Sequence, residues 1–359
     1  MMRASLVWTI VNPLVLGTTL AAQQRWDHEF IRVTAACERS DGSVVVSDPG
    51  DNSIVLLAPG GAARQVGRQG GGPGEYRSPG ACFGLGGDTV AVFDRALRRF
   101  VLQPAGAAAP QTLPWPTQLG SGWFEPIGAD DRGALLFQAP PAAGKAAILR
   151  VPRGGGGLDT LALVDAGDAR AMAAGAASFR RDLPFSPRTG VVAAPGLGVA
   201  LVHPEPFRVE VRRASESRTG SPIPFTPVAV DDGDIEAYIV AQSPPPGATG
   251  VRSDGKRVVV PQVKLTLANF GLTRDDFPKF KPAFDPAGLL VGRDGSLWIR
   301  VHRPSGNKSE RYEVWTAAGS RGTPVELPEG RRLVGVGARA LYVVVTNEDG
   351  GQAVERIAR

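Results

Sequence analysis

The chain has 359 residues, 40 Lys and Arg against 35 Asp and Glu, and a formal charge of +5. A charge this small on so large a surface, with scattered basic residues and no aromatics interleaved among them, argues against nucleic acid as a partner. Gly 46 and Pro 31 are numerous, yet 43% of the residues are apolar and recur in short alternating runs, which argues against disorder and for turn-rich β structure.

Residues 1–22 have the pattern of an export signal. Arg3 supplies the positive end, Leu6 to Gly17 is mostly apolar, and Thr19-Leu20-Ala21-Ala22 offers small residues at a cleavage point. The apolar run is too short for a comfortable membrane-spanning helix, and no later stretch reaches ~18 apolar residues. The mature chain, residues 23–359, is therefore expected in the periplasm or outside the cell, with no stable membrane span.

Next comes a strand-turn-strand unit, Asp41-Gly42 through Val44-Val45-Val46 to Asp48, then Ile54-Val55-Leu56-Leu57. Similar units open at Asp88, Gly133, Gly198, Gly295 and Arg339, at spacings of 46, 45, 65, 97 and 44 residues. Three of these spacings lie near the ~40–45-residue period of a four-stranded propeller blade. The expectation is an all-β fold, a six-bladed β-propeller forming one domain over 23–359. Closing such a ring removes the exposed sheet edges. The last unit ends at its third strand, so the missing outer strand is expected from Phe30-Ile31-Arg32-Val33, an N-to-C ring closure.

The two long spacings call for insertions. Residues 154–185, with Gly154 to Gly157 and an Ala-rich stretch from Ala166 to Ala177, read as a loop with one helical turn. Residues 223–284 read as a partly helical excursion, with a helix capped by Asp232 or Asp234 and broken at Pro244-Pro245-Pro246.

Between the first two units lies Gly67-Arg68-Gln69-Gly70-Gly71-Gly72-Pro73-Gly74-Glu75-Tyr76-Arg77-Ser78-Pro79. It lacks the Lys-Ser or Lys-Thr and the following helix of a phosphate loop, and Glu75 would repel phosphate. It reads as a tight connection between blades. In a propeller ring this connection shares a face with the loop after each second strand. That face would carry Asp48, Asp51, Glu75, Tyr76, Arg77 and Asp94, together with Gln138, His203, His302 and Asn347. Asp48, Glu75, Tyr76, Arg77, Asp94, His203 and His302 are the candidate ligand-binding set. A competing role for Asp48 and Asp94 is to accept backbone N–H bonds and hold the loops beside them. No metal is called for, although His203 and His302 fall at matching points of neighbouring units and form an alternative metal pair. Trp115, Trp123, Trp298 and Trp315 read as blade-packing residues. No nucleophile-base arrangement stands out.

Cys37 and Cys82 are the two cysteines of the chain. Aligned on Asp48 and Asp94, Cys82 corresponds to position 36, one residue off Cys37. Side chains alternate between faces along a strand, so this offset turns the two toward each other across adjacent blades. An inter-blade disulfide or two separate buried thiols are the open alternatives.

The residues Gly70-Gly71-Gly72-Pro73-Gly74-Glu75-Tyr76 with Pro79, the preceding Asp41-Gly42 to Asp48, and Pro282-Ala283-Phe284 ahead of Asp294-Gly295-Ser296-Leu297-Trp298 resemble bacterial six-bladed β-propeller proteins related to the NHL-repeat propellers. The resemblance covers essentially all of the mature chain. It implies the fold and export far more than an activity, since many such proteins have none known. The functional expectation is an exported binding or interaction module for a protein or small molecule, with no cofactor indicated. The alternative is a metal-dependent propeller hydrolase or lyase with its site at the channel mouth.

Overall fold

The computed structural model describes residues 22–106, 108–174, 177–213, 216–243, 249–251, 257–259 and 264–359. Residues 1–21, nearly all of the segment read as an export signal, and Pro244-Pro245-Pro246 lie outside them. The described residues are mostly strand, with one α-helix, in a propeller-like arrangement. No helix among them is long and apolar enough to cross a membrane.

The strand that opens each sequence unit lies where the turn residues put it: Val44–Asp48, Thr89–Asp94, Leu135–Gln138, Gly198–Pro204, Leu297–Val301 and Ala340–Thr346. Each pairs antiparallel with a strand before it and a strand after it. The resulting sheets have four or five strands, except one of eight. That sheet is two four-stranded antiparallel runs joined by a single parallel bridge, Gly128 to Ala193.

Burial explains why these strands read as continuous apolar runs. Val44 and Val46 pack with Val334, Tyr342 and Val344 of the last sheet. Val45, turned the other way by the pleat, packs with Val90, Val92 and Val101 of the next sheet. Each sheet therefore buries both faces against its neighbours, and each buried Val contributes about 1.5–3 kcal/mol. Further clusters fill the spaces between the later sheets in the same way.

The last sheet is completed from the N-terminus, but by a different strand from the one expected. Ala22–Arg25 pairs antiparallel with Gln352–Ala358. Phe30 makes only a two-way bridge with Gln352. The backbone after it is held sideways by side chains: Ile31 N–H and Arg32 N–H donate to Asp48 at 2.8 and 2.9 Å, and Val33 N–H donates to Gln352 Oε1 at 2.8 Å. Buried Trp26 fixes the path between strand and anchor by donating from Nε1 to Ala58 O at 2.8 Å.

Two insertion readings need correction. Residues 154–185 hold an outer strand, Asp159–Asp165, and a β-hairpin, Ala169–Ala174 with Ala177–Asp182, not a loop with a helical turn. The Ala-rich run favours helix by local propensity, but strand pairing overrides it. In the excursion the helix Asp232–Gln242 is capped by Asp231, not by Asp232 or Asp234. Asp231 accepts from Asp234 N–H while Asp234 accepts from Asp231 N–H, a reciprocal capping box. The two insertions grip each other: Arg170 pairs with Asp276, and the Phe185 ring lies 6.3 Å from Phe277. Buried Lys281 anchors the excursion through Asp234 at 2.5 Å and Arg303 O at 2.7 Å.

Candidate functional site: the central cavity

The inner strands Ala35–Glu38, Pro79–Gly84, Glu125–Ala129, Gly190–Ala194, Phe284–Val291 and Arg331–Val336 surround one cavity of about 970 Å³. They approach so closely that two positions tolerate only glycine. A Cβ on Gly128 would sit 1.8 Å from Ala193 O, and one on Gly335 would sit 1.9 Å from Ala36 O. Between the first two units the tie is covalent. Cys37 and Cys82 form a disulfide with a Cα–Cα separation of 6.1 Å. Cys37 lies opposite Val45 and Cys82 opposite Val92, the one-residue offset expected from the alignment on Asp48 and Asp94.

One stretch of the wall sets an exposed indole beside polar groups. Trp123 is 41% exposed, and the Arg95 guanidinium lies over its ring at 4.7 Å. Glu125 begins its inner strand directly across from Gln138, and both line the cavity. Glu125 is exposed by surface area at the cavity wall, yet protein encloses much of its carboxyl. That enclosure raises its pKa above the ordinary carboxylate value, while the charge of Arg95 and a hydrogen bond from the Trp123 indole oppose the rise. Elsewhere on the wall Asp182 and Arg188 form an ion pair at 3.1 Å, next to Thr189. Because Asp182 ends the inserted hairpin, the insertions reach the cavity rim.

The residues nominated from sequence sit elsewhere, and none of the seven lines this cavity. Asp48 and Asp94 are buried carboxylates at equivalent strand ends. Asp94 accepts from the N–H groups of Arg77, Ser78 and Leu97 at 2.9, 3.1 and 3.2 Å, as Asp48 does from Ile31, Arg32 and Gly50. Glu75 closes the glycine loop by accepting from Gly72 N–H at 2.8 Å and from Arg68 Nε at 3.2 Å. Those bonds hold its carboxyl below the ordinary range. Tyr76 is fully buried against Gly67, where a Cβ would meet the ring at 2.3 Å. Its hydroxyl accepts from Gln103 at 2.9 Å, and burial pushes its pKa up to about 12. Arg77 has an exposed side chain and contributes its N–H to Asp94.

The histidines have separate partners. His203 Nε2 meets Glu210 at 3.3 Å, and Glu210 also binds Arg212. His302 Nδ1 donates to Pro282 O at 2.9 Å, and its ring stands edge-on to Phe185 at 5.4 Å. Among the described residues, no three His, Cys, Asp or Glu side chains are grouped to hold a metal ion.

Trp123 and Glu125 escaped sequence reasoning, and the Trp123 packing expectation is corrected by its exposure at the cavity wall. The repeat alignment rests on the strand that opens each unit, so residues leading into an inner strand have no register. Trp115, by contrast, packs among Phe93, Phe100 and Phe137, and Trp298 is buried.

No protein-family model matches the chain, and no curated protein matches it in sequence. Among solved structures it is similar to virginiamycin B lyase from Staphylococcus aureus, at 10% identity over 94% of this chain and 98% of that one, with a TM-score of 0.42. It is also similar to regucalcin, a calcium-binding protein from Agrobacterium tumefaciens, at 12% identity, 95% and 96% coverage and a TM-score of 0.39. A third similar structure is a protein of unknown function from Bacteroides thetaiotaomicron, at 12% identity, 95% and 72% coverage and a TM-score of 0.44. Likeness at this level carries no argument about activity, and the propeller-like arrangement rests on the sheets and cavity of the chain itself.

Proposed function

We propose that the protein is an exported six-bladed β-propeller of one domain, residues 23–359, that binds a small polar ligand at the wall of its central cavity. Six is the count when the eight-stranded sheet is taken as two units around its single bridge. Export follows from the pattern of residues 1–22, and cleavage there yields a periplasmic or extracellular protein. The observation that carries the binding reading is Trp123, a large aromatic left 41% exposed on the wall of a cavity of about 970 Å³. Apart from the Arg95 guanidinium over its ring, the indole lacks the burial that encloses Trp298. Beside it, Glu125, Gln138 and Arg95 supply the few polar groups that orient a ligand in a largely apolar site. A ring or other flat apolar face would stack on the indole while hydroxyl or amide groups bond the carboxyl and the amide. Asp48, Asp94, Glu75, Tyr76 and Arg77 enter this reading as the supports of the loops between units. His203 and His302 enter it as residues of the same face.

The test is ligand-observed NMR of the mature protein against a library of water-soluble metabolites, repeated with Trp123→Ala and Glu125→Gln. Binders lost from Trp123→Ala and weakened in Glu125→Gln support the site. Binders retained equally by both variants place binding elsewhere and defeat it.

A further inference from the structure

The Cys37–Cys82 disulfide closes the gap between the first two inner strands, and both cysteines line the central cavity. On one side the pair packs against the Val45, Ile54, Val90 and Val92 cluster. Neither cysteine is fully buried. A disulfide whose only task is to staple a core would be expected within the packing, whereas this one stands at the edge of a space large enough for a tripeptide-sized molecule. We propose that Cys37–Cys82 is a thiol-exchange site, reached through the cavity by low-molecular-weight thiols while the protein remains folded.

The chemistry needs only the named reductant. A thiolate RS⁻ attacks one sulfur, the S–S bond breaks, and the other cysteine leaves as a thiolate that takes up a proton. A second RS⁻ attacks the mixed disulfide at its exogenous sulfur and releases the first cysteine. The protein disulfide is reduced to two thiols, and two RSH are oxidised to RSSR. Access decides the rate as much as thiol reactivity does. The cavity admits a small thiol but not a folded protein, so the site discriminates reductants by size. Reduction would free the strands Ala35–Glu38 and Pro79–Gly84 from each other at the cavity wall. This inference is independent of the ligand reading, since it rests on the disulfide and not on Trp123.

The experiment measures initial rates of disulfide loss in the folded mature protein, by alkylation and mass spectrometry, with glutathione and with reduced thioredoxin. Urea-unfolded protein is the reference for each. The expected result is a glutathione rate in the folded protein within about tenfold of the unfolded reference, with a transient mixed disulfide at Cys37 or Cys82. Thioredoxin should be strongly suppressed. Exchange that requires global unfolding is slowed by the folding equilibrium, about 10³-fold or more, and a glutathione rate lowered that far overturns the proposal. Equal access for thioredoxin also overturns it, because the bond would then be reached from the outer surface. Initial rates report on the oxidised folded state, so the outcome does not depend on whether the reduced protein stays folded.

Discussion

Replacing Asp94 with Ala tests a device the fold uses at both Asp48 and Asp94. The carboxylate is fully buried and accepts three backbone N–H bonds, from Arg77 and Ser78 ahead of the inner strand Pro79–Gly84 and from Leu97 in the turn after Asp94's own strand, Thr89–Asp94. A hydrogen bond to a charged group contributes about 1.5–3 kcal/mol, and a buried donor left without a partner costs about 1–3 kcal/mol. Arg77 and Leu97 lie near the surface, where water recovers part of the loss. The expected net cost is therefore about 3–4 kcal/mol, below the simple sum. Asp94→Asn keeps one acceptor oxygen without the charge and should lose about half as much. Urea unfolding of wild type and both variants, followed by circular dichroism, reads the difference directly. A loss under about 1 kcal/mol for Asp94→Ala would refute the reasoning, as would equal losses for Ala and Asn.

Gly335→Ala should destabilise by about 1–3 kcal/mol, because the added methyl meets the Ala36 carbonyl and no flexible side chain can yield. Thermal unfolding checks this, and Gly330→Ala, where a Cβ meets nothing but φ is +76°, separates crowding from backbone strain. Burial holds His302 below its ordinary pKa of 6.5, with the hydrogen bond to Pro282 O working the other way. The unfolded chain therefore takes up this proton first. Its contribution to stability is full above about pH 6.5 and is lost as pH falls toward the folded pKa. His302→Gln should flatten the stability profile between pH 7 and 5, and an unchanged profile would count against the burial account. Lys281→Met leaves Asp234 without its buried partner and should cost about 3 kcal/mol. Limited proteolysis should then cut within residues 223–284 well before the rest of the chain, and uniform cutting would contradict a local anchor.

What was legible in the sequence was what burial on two faces writes there. Val44-Val45-Val46 and Val90-Ala91-Val92-Phe93 are apolar without interruption because each sheet is covered on both sides, and a Gly or Asp turn marks where each begins. The cysteine offset was readable for the same reason, since strand alternation converts one residue of register into a choice of face. The inner strands were much less legible. Pro79–Gly84 and Glu125–Ala129 carry proline, glycine and polar residues because they border a cavity and approach their neighbours' backbones, so they lack the usual strand pattern. The hairpin Ala169–Asp182 was obscured by alanines, which satisfy helix propensity and strand pairing alike. The cap at Asp231 was recoverable from the Asp-x-x-Asp spacing with Asp234, a box that matters more than the nearest acidic residue. The ring-closing strand Ala22–Arg25 is polar, since it lies at a sheet edge, and the more apolar Phe30–Val33 carries the stronger strand signal.

The proposed ligand site is the cavity wall around Trp123 and Glu125. Crystallographic fragment screening of the mature protein tests it most directly, because it reads location without knowledge of the natural ligand. Bound fragments should concentrate in the central cavity, with rings against the Trp123 indole and polar atoms within hydrogen-bond distance of Glu125 or Gln138, and Trp123→Ala crystals should lose them. Fragments confined to the outer rim, with the cavity wall at Trp123 left bare, would contradict it.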